Sequence, residues 1–206
     1  DFVARTDKFK NFVSDIAKHV ATSSATDVDS LLNEKMSSGK TVSDLVTETI
    51  GLVGENMQLK RFARFVGEGF VTNYIHPGDK LGVMVEIAAA KASADMNGFR
   101  AFARDVAMQI AATNPQAVNR EDLNQTMVAK EREILRHQTE NEKKPAAVID
   151  KIVDGRMEKF YSEVVLLEQP FVKDNDKTVK DIIKDRAAAT GDTIQVKRFV
   201  RFRLGE

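Results

Sequence analysis

The chain repeats itself, and the repeat limits what it can fold into. Residues 9–17, Phe-Lys-Asn-Phe-Val-Ser-Asp-Ile-Ala, return at 99–107 as Phe-Arg-Ala-Phe-Ala-Arg-Asp-Val-Ala. Thr41-Val42-Ser43-Asp44-Leu45-Val46 returns as Thr178-Val179-Lys180-Asp181-Ile182-Ile183. Residues 58–65 return at 195–202 with six of eight positions identical. Segments recurring in fixed order imply a structural unit built twice. The spacing locates an insertion. Thr41 to Gln58 and Thr178 to Gln195 are both 17 residues, whereas Phe9 to Thr41 is 32 and Phe99 to Thr178 is 79. The second copy therefore carries about 47 extra residues between Ala112 and Pro170.

Each copy reads as helix, helix, strand. Phe9, Phe12, Ile16 and Val20 share a helical face, as do Phe99, Phe102, Val106 and Ile110. Thr6 or Asp7 is the expected cap of the first helix and Asn97 of its counterpart. Thr41 and Thr178 each precede an Asp by three residues, close to a capping box. Asn114-Pro115 and Gly191 are stop signals. Residues 58–65 and 195–202 alternate with period two, which predicts strands. Leu59, Ala63 and Phe65 fall on one face, and Val196, Val200, Phe202 and Leu204 on the other copy's equivalent. Strands are also predicted at 70–75 and 81–88, joined by His76-Pro77-Gly78-Asp79-Lys80. Nothing equivalent to this hairpin precedes Phe9, so a further hairpin is expected upstream of Asp1. The insert reads as a long charged helix at 122–140 with apolar Leu123, Met127, Ile134 and Leu135. A polar turn at 141–144 and a returning helix opened by Pro145 complete it.

The resulting expectation is an α+β fold of two duplicated subdomains. Each would lay helices on a small three-stranded antiparallel sheet, with a coiled-coil-like helical hairpin inserted in the second. The boundaries are 1–68 for the first, 69–118 with 165–206 for the second, and 119–164 for the insertion.

Chemistry is sparse. Lys+Arg and Asp+Glu balance at 31 each, which argues against general attraction to nucleic acid or membrane. There is no cysteine, hence neither disulfide nor thiolate chemistry. No apolar run approaches the ~18 residues of a membrane span. The histidines, His19, His76 and His137, lie far apart, and no pair has metal-ligand spacing. The carboxylates read as solvated helix faces. No catalytic residue, metal or cofactor is expected. Lys60, Phe62 and Arg64, with Lys197, Phe199, Arg201 and Arg203, alternate basic and aromatic groups. That pattern suits either single-stranded nucleic acid or a covered Phe with snorkelling cations. Phe2, beside Asp1 and ahead of a helix, reads equally as a local staple or as an exposed interface wedge.

Five motifs resemble those of the elongation factor Ts family over nearly the whole chain. They are Asp1-Phe2-Val3-Ala4, Val53-Gly54-Glu55-Asn56, His76-Pro77-Gly78, residues 151–160 and Gln169-Pro170-Phe171-Val172. The resemblance implies a cytoplasmic guanine-nucleotide exchange factor for the GTPase elongation factor Tu, with an organellar matrix as the other location. It implies that Asp1 and Phe2 press beside the partner's magnesium site, that Val53 and Gly54 touch the same domain, and that His76 touches a distal barrel. It also implies a helical hairpin open to self-association, and a further N-terminal helical module with no counterpart in these residues. A structural dimerisation protein or a nucleic-acid module without exchange activity stay as the alternatives.

Overall fold

A computed structural model describes residues 2–91, 96–140 and 145–206. The chain divides into two compact units, Asp1–Val66 and Gly67–Glu206.

The first unit is helical. A 3-10 turn at Val3–Arg5 leads into α1 (Asp7–Thr22), followed by α2 (Val28–Asn33) and α3 (Val42–Val53). The Thr6 side chain caps α1 by accepting from Phe9 N, as its position predicts. Thr41 and Asp44 form a reciprocal capping box on α3, and Asp27 and Ser30 form another on α2. Ile16 and Val20 of α1 bury against Ala25, Leu31 and Val42, with Phe12, Met36, Leu45 and Val46 packed around them. Phe9 leans against Phe12, ring centroids 6.1 Å apart and planes tilted at 47°, at the rim of this core.

The expected strand at 58–65 is not formed. These residues carry no strand pairing, and Leu59 and Phe62 pack on the helical core instead. The physical reason is that a strand exists through its ladder. The described residues of this unit contain no second strand to build one. The three-stranded sheet expected of the first subdomain is therefore absent from those residues.

The second unit carries the sheet. It contains β1 (Phe70–Ile75), β2 (Leu81–Ala89), α4 (Met96–Thr113), α5 (Gln125–Glu140), α6 (Ala146–Val164), β3 (Pro170–Phe171), β4 (Asp174–Thr178), α7 (Val179–Thr190) and β5 (Ile194–Arg203). The antiparallel order is β1-β2-β5, and β3 and β4 pair separately. Val83, Val85 and Ile87 of β2 bury with Phe99, Ala103, Val106 and Ile110 of α4 and Val179 and Ile183 of α7. Thr178 and Asp181 box the start of α7, and Gly191, at φ 60°, ends it. Asn97 lies inside α4 rather than at its cap.

One face assignment is corrected. Glu86 pairs with Arg198 but Ile87 pairs with Val196, so Lys197 is the extra residue of a β-bulge. The bulge breaks the period. Val196 and Phe199 both belong to the helix-side core, while Val200, opposite Met84, and Phe202, opposite Gly82, lie on the other face.

The insertion is a helical hairpin with its own interior. Ile149, Val153 and Met157 of α6 are buried against Val128 and Leu135 of α5. Arg132–Asp154 at 2.8 Å and Arg136–Asp150 at 2.5 Å run antiparallel across it. Ile134, one of the apolar residues of the charged helix, is exposed. The predicted turn at 141–144 lies outside the described residues. At the base, Arg120 stacks 4.1 Å over the Tyr161 ring and binds both Glu158 and Glu168. The two carboxylates raise the Arg120 pKa further above its ordinary value, Glu168 most.

Candidate partner-binding residues

Phe2 is 90% exposed. Its backbone is nevertheless ordered by hydrogen bonds. The Phe2 carbonyl accepts from Arg5 N at 3.1 Å, and the Val3 carbonyl accepts from Thr6 N and Thr6 Oγ1. The same Thr6 then caps α1. The ring thus stands one tight turn ahead of a capped helix and outside the unit's core, which favours a projecting aromatic over a local staple. Asp1 lies outside the described residues.

Val53 and Gly54 end α3. Gly54 N donates to Ile50 O at 2.9 Å, and its φ of 74° is the left-handed cap conformation that favours glycine. A Cβ there would meet nothing within 4 Å, so backbone conformation rather than crowding requires the glycine. Val53 is half-buried, while Leu52, Glu55 and Asn56 are exposed. The helix end is therefore an open surface with a fixed backbone.

His76 belongs to the second unit, in the turn between β1 and β2. Its N–H donates to Leu81 O at 2.9 Å, and its carbonyl accepts from Asp79 N at 3.0 Å. Gly78 and Asp79 adopt positive φ, 96° and 56°, as a tight turn demands. The imidazole is exposed, with Nδ1 3.2 Å from the Tyr74 hydroxyl.

Several of the remaining candidates have structural work. Phe62 and Phe199 each pack on a core. Arg198 binds the buried Glu86 at 2.6 Å. Arg201 reaches Ala111 O at the C-terminal end of α4, where a cation is favoured. Both aromatics of the alternating pattern and Arg201 are thus engaged within their units, while Lys60, Arg64, Lys197 and Arg203 are exposed. His19 Nε2 lies 3.0 Å from Glu34 Oε2. Hydrogen bonds from Ser23 and this histidine hold the Glu34 carboxyl below its usual range. Among the described residues, no group of three or more His, Cys, Asp or Glu could hold a metal ion, and no helix is long and apolar enough to cross a membrane.

Sequence reasoning missed Gln109. It is fully buried in α4. Its amide nitrogen donates to Gln169 Oε1 and Pro170 O, and its oxygen accepts from Val172 N at 2.8 Å. The Gln169–Val172 motif is thus held in place by α4. Residues 151–160 behave likewise: Val153 and Met157 are interior, and Arg156 donates to the buried Thr139. Both motifs stabilise the fold of the second unit.

A family model described as Elongation factor TS matches residues 1–206. The chain is 43% identical over 207 residues to an elongation factor Ts of Clostridium botulinum, covering all of this chain and 67% of that protein. It is 42% identical over 206 residues to one of Clostridioides difficile, with the same coverage, and 42% over 209 to one of Halothermothrix orenii, 66% of whose length is covered.

Proposed function

The chain belongs to the elongation factor Ts family, and we infer from that membership that it does the family's work. It is a guanine-nucleotide exchange factor that promotes GDP release from elongation factor Tu during translation elongation, and it is not an enzyme. The observation that carries this is the family match along all 206 residues. Its relatives are bacterial proteins, and this step of translation is cytoplasmic.

Exchange of this kind is thermodynamic coupling. The factor binds best the partner state whose phosphate and magnesium contacts are loosened, and by linkage factor and nucleotide weaken each other equally. A coupling of about 3 kcal/mol would speed release roughly 10²-fold if it appeared fully in the off-rate. We assign the wedge beside the magnesium site to Phe2 with Asp1, and further contacts to Val53, Gly54 and His76. The near-complete exposure of Phe2 on a hydrogen-bonded turn supports the first assignment. One buried Phe supplies about 1.5–3 kcal/mol, so below the top of that range the further contacts at Val53, Gly54 and His76 share the coupling. The hairpin of α5 and α6 is assigned to self-association or secondary partner contact.

The test is release of fluorescent GDP from elongation factor Tu with and without the chain. Acceleration that rises with chain concentration and saturates is the expected result. Release at the spontaneous rate would overturn the reading.

A further inference from the structure

His76 is held from more than its backbone. Tyr74 precedes it by two residues, and alternate residues of an extended strand share a face. The two rings meet edge-on, with centroids 6.0 Å apart and planes at 64°. The Tyr74 hydroxyl is 3.2 Å from His76 Nδ1. Tyr74 is itself fixed, because its ring packs against the core of the second unit. The Arg104 guanidinium of α4 stands 5.7 Å from the centre of that ring, within cation–π range. The order Arg104, Tyr74, His76 thus runs from the exposed side of α4 through a half-buried ring to an exposed turn.

A neutral imidazole has one donor and one acceptor nitrogen, and the bond made by one nitrogen selects the role of the other. A phenol that donates to Nδ1 leaves the proton on Nε2. We propose that Tyr74 is a positioning residue for nucleotide exchange. Its hydroxyl donates to His76 Nδ1, holds the imidazole as the Nε2–H tautomer, and presents that N–H to a carbonyl or carboxylate acceptor on elongation factor Tu. This rests on the assignment of His76 as a partner contact. The gain is pre-organisation: the ring enters the interface with its rotamer and tautomer already set.

The experiment compares the chain with its Tyr74→Phe, His76→Ala and doubly substituted variants. Each is measured by thermal melting and by affinity for nucleotide-free elongation factor Tu. Ring-nitrogen NMR of His76 at about pH 8, above the ordinary imidazole range, reports the tautomer. Tyr74→Phe keeps the packed ring and should melt with the parent. Its His76 should change from one tautomer to a mixture, and affinity should fall about threefold to tenfold, the worth of one hydrogen bond. The double variant should bind like His76→Ala alone. Unchanged tautomer and affinity in Tyr74→Phe would overturn the proposal, and so would a further loss in the double variant, since Tyr74 would then act independently of His76. If His76→Ala loses affinity while Tyr74→Phe does not, only the positioning role falls. If His76→Ala binds like the parent, the contact assignment falls and takes the proposal with it.

Discussion

At the scale of single residues, the fold and the proposed function separate at Phe2. Its ring is outside the core that Ile16, Val20, Leu31 and Val42 complete without it. Phe2→Ala should therefore cost under about 1 kcal/mol of stability, as at other sites outside a core. It should slow GDP release from elongation factor Tu by tenfold or more, which needs only about 1.4 kcal/mol lost from the transition state. Stopped-flow release beside thermal melts of both proteins decides it. A variant that melts several degrees lower yet exchanges at the parent rate would make Phe2 a core residue and end the wedge assignment.

Element by element, helix ends and the inserted hairpin each make a claim. The Asp44 carboxylate accepts from Thr41 N at 2.9 Å, and Asp181 accepts from Thr178 Oγ1 at 2.7 Å and from Thr178 N. These bonds favour the ionised form and hold both carboxyls below their usual 3.8. A carboxyl whose folded pKa lies below its unfolded one contributes fully above the unfolded value. It loses that contribution as pH falls through the folded value. The melting temperature should accordingly drop as pH falls below about 4. Asp44→Asn with Asp181→Asn should flatten that acid limb in scans across pH 2–6, and an unaltered slope would show the boxes contribute nothing to it. The hairpin shares none of its buried residues with the sheet core. Replacing residues 131–155 by a short Gly/Ser linker should leave a protein that unfolds cooperatively, with hairpin-dependent association weakened. Loss of a cooperative transition in denaturant would make the hairpin part of the core.

For the molecule as a whole, the two units have separate hydrophobic clusters and unequal architectures. The second owns the sheet, the helices α4 and α7 that share its core, and the buried Gln109 network. A fragment of residues 67–206 should fold alone, with dispersed NMR amide signals and a cooperative melt. It should not accelerate GDP release, because Phe2, Val53 and Gly54 are outside it. Full exchange activity from this fragment would move the working surface to the second unit.

The repeat was legible because its segments recur in the same order, and the helix periodicities, the Thr caps, the Gly191 stop and the β1–β2 hairpin because each depends on neighbours within a few residues. The turn at His76 was legible for the same reason, since Pro77, Gly78 and Asp79 suit its backbone directly. The roles given to Phe2, Val53, Gly54 and His76 came from resemblance, as exposure cannot be read from a short motif. Tertiary structure alone decided three things. Residues 58–65 have the strand pattern but no ladder, because pairing needs a second strand that alternation does not provide. Lys197 bulges because Glu86 and Ile87 take Arg198 and Val196 as partners more than a hundred residues away, and one extra residue reverses which side chains face the core. Gln109 looks like any polar helix residue until the chain returns at Gln169–Val172 to use its amide. Local sequence encodes propensity and periodicity, whereas pairing and burial belong to segments that meet only in the folded chain.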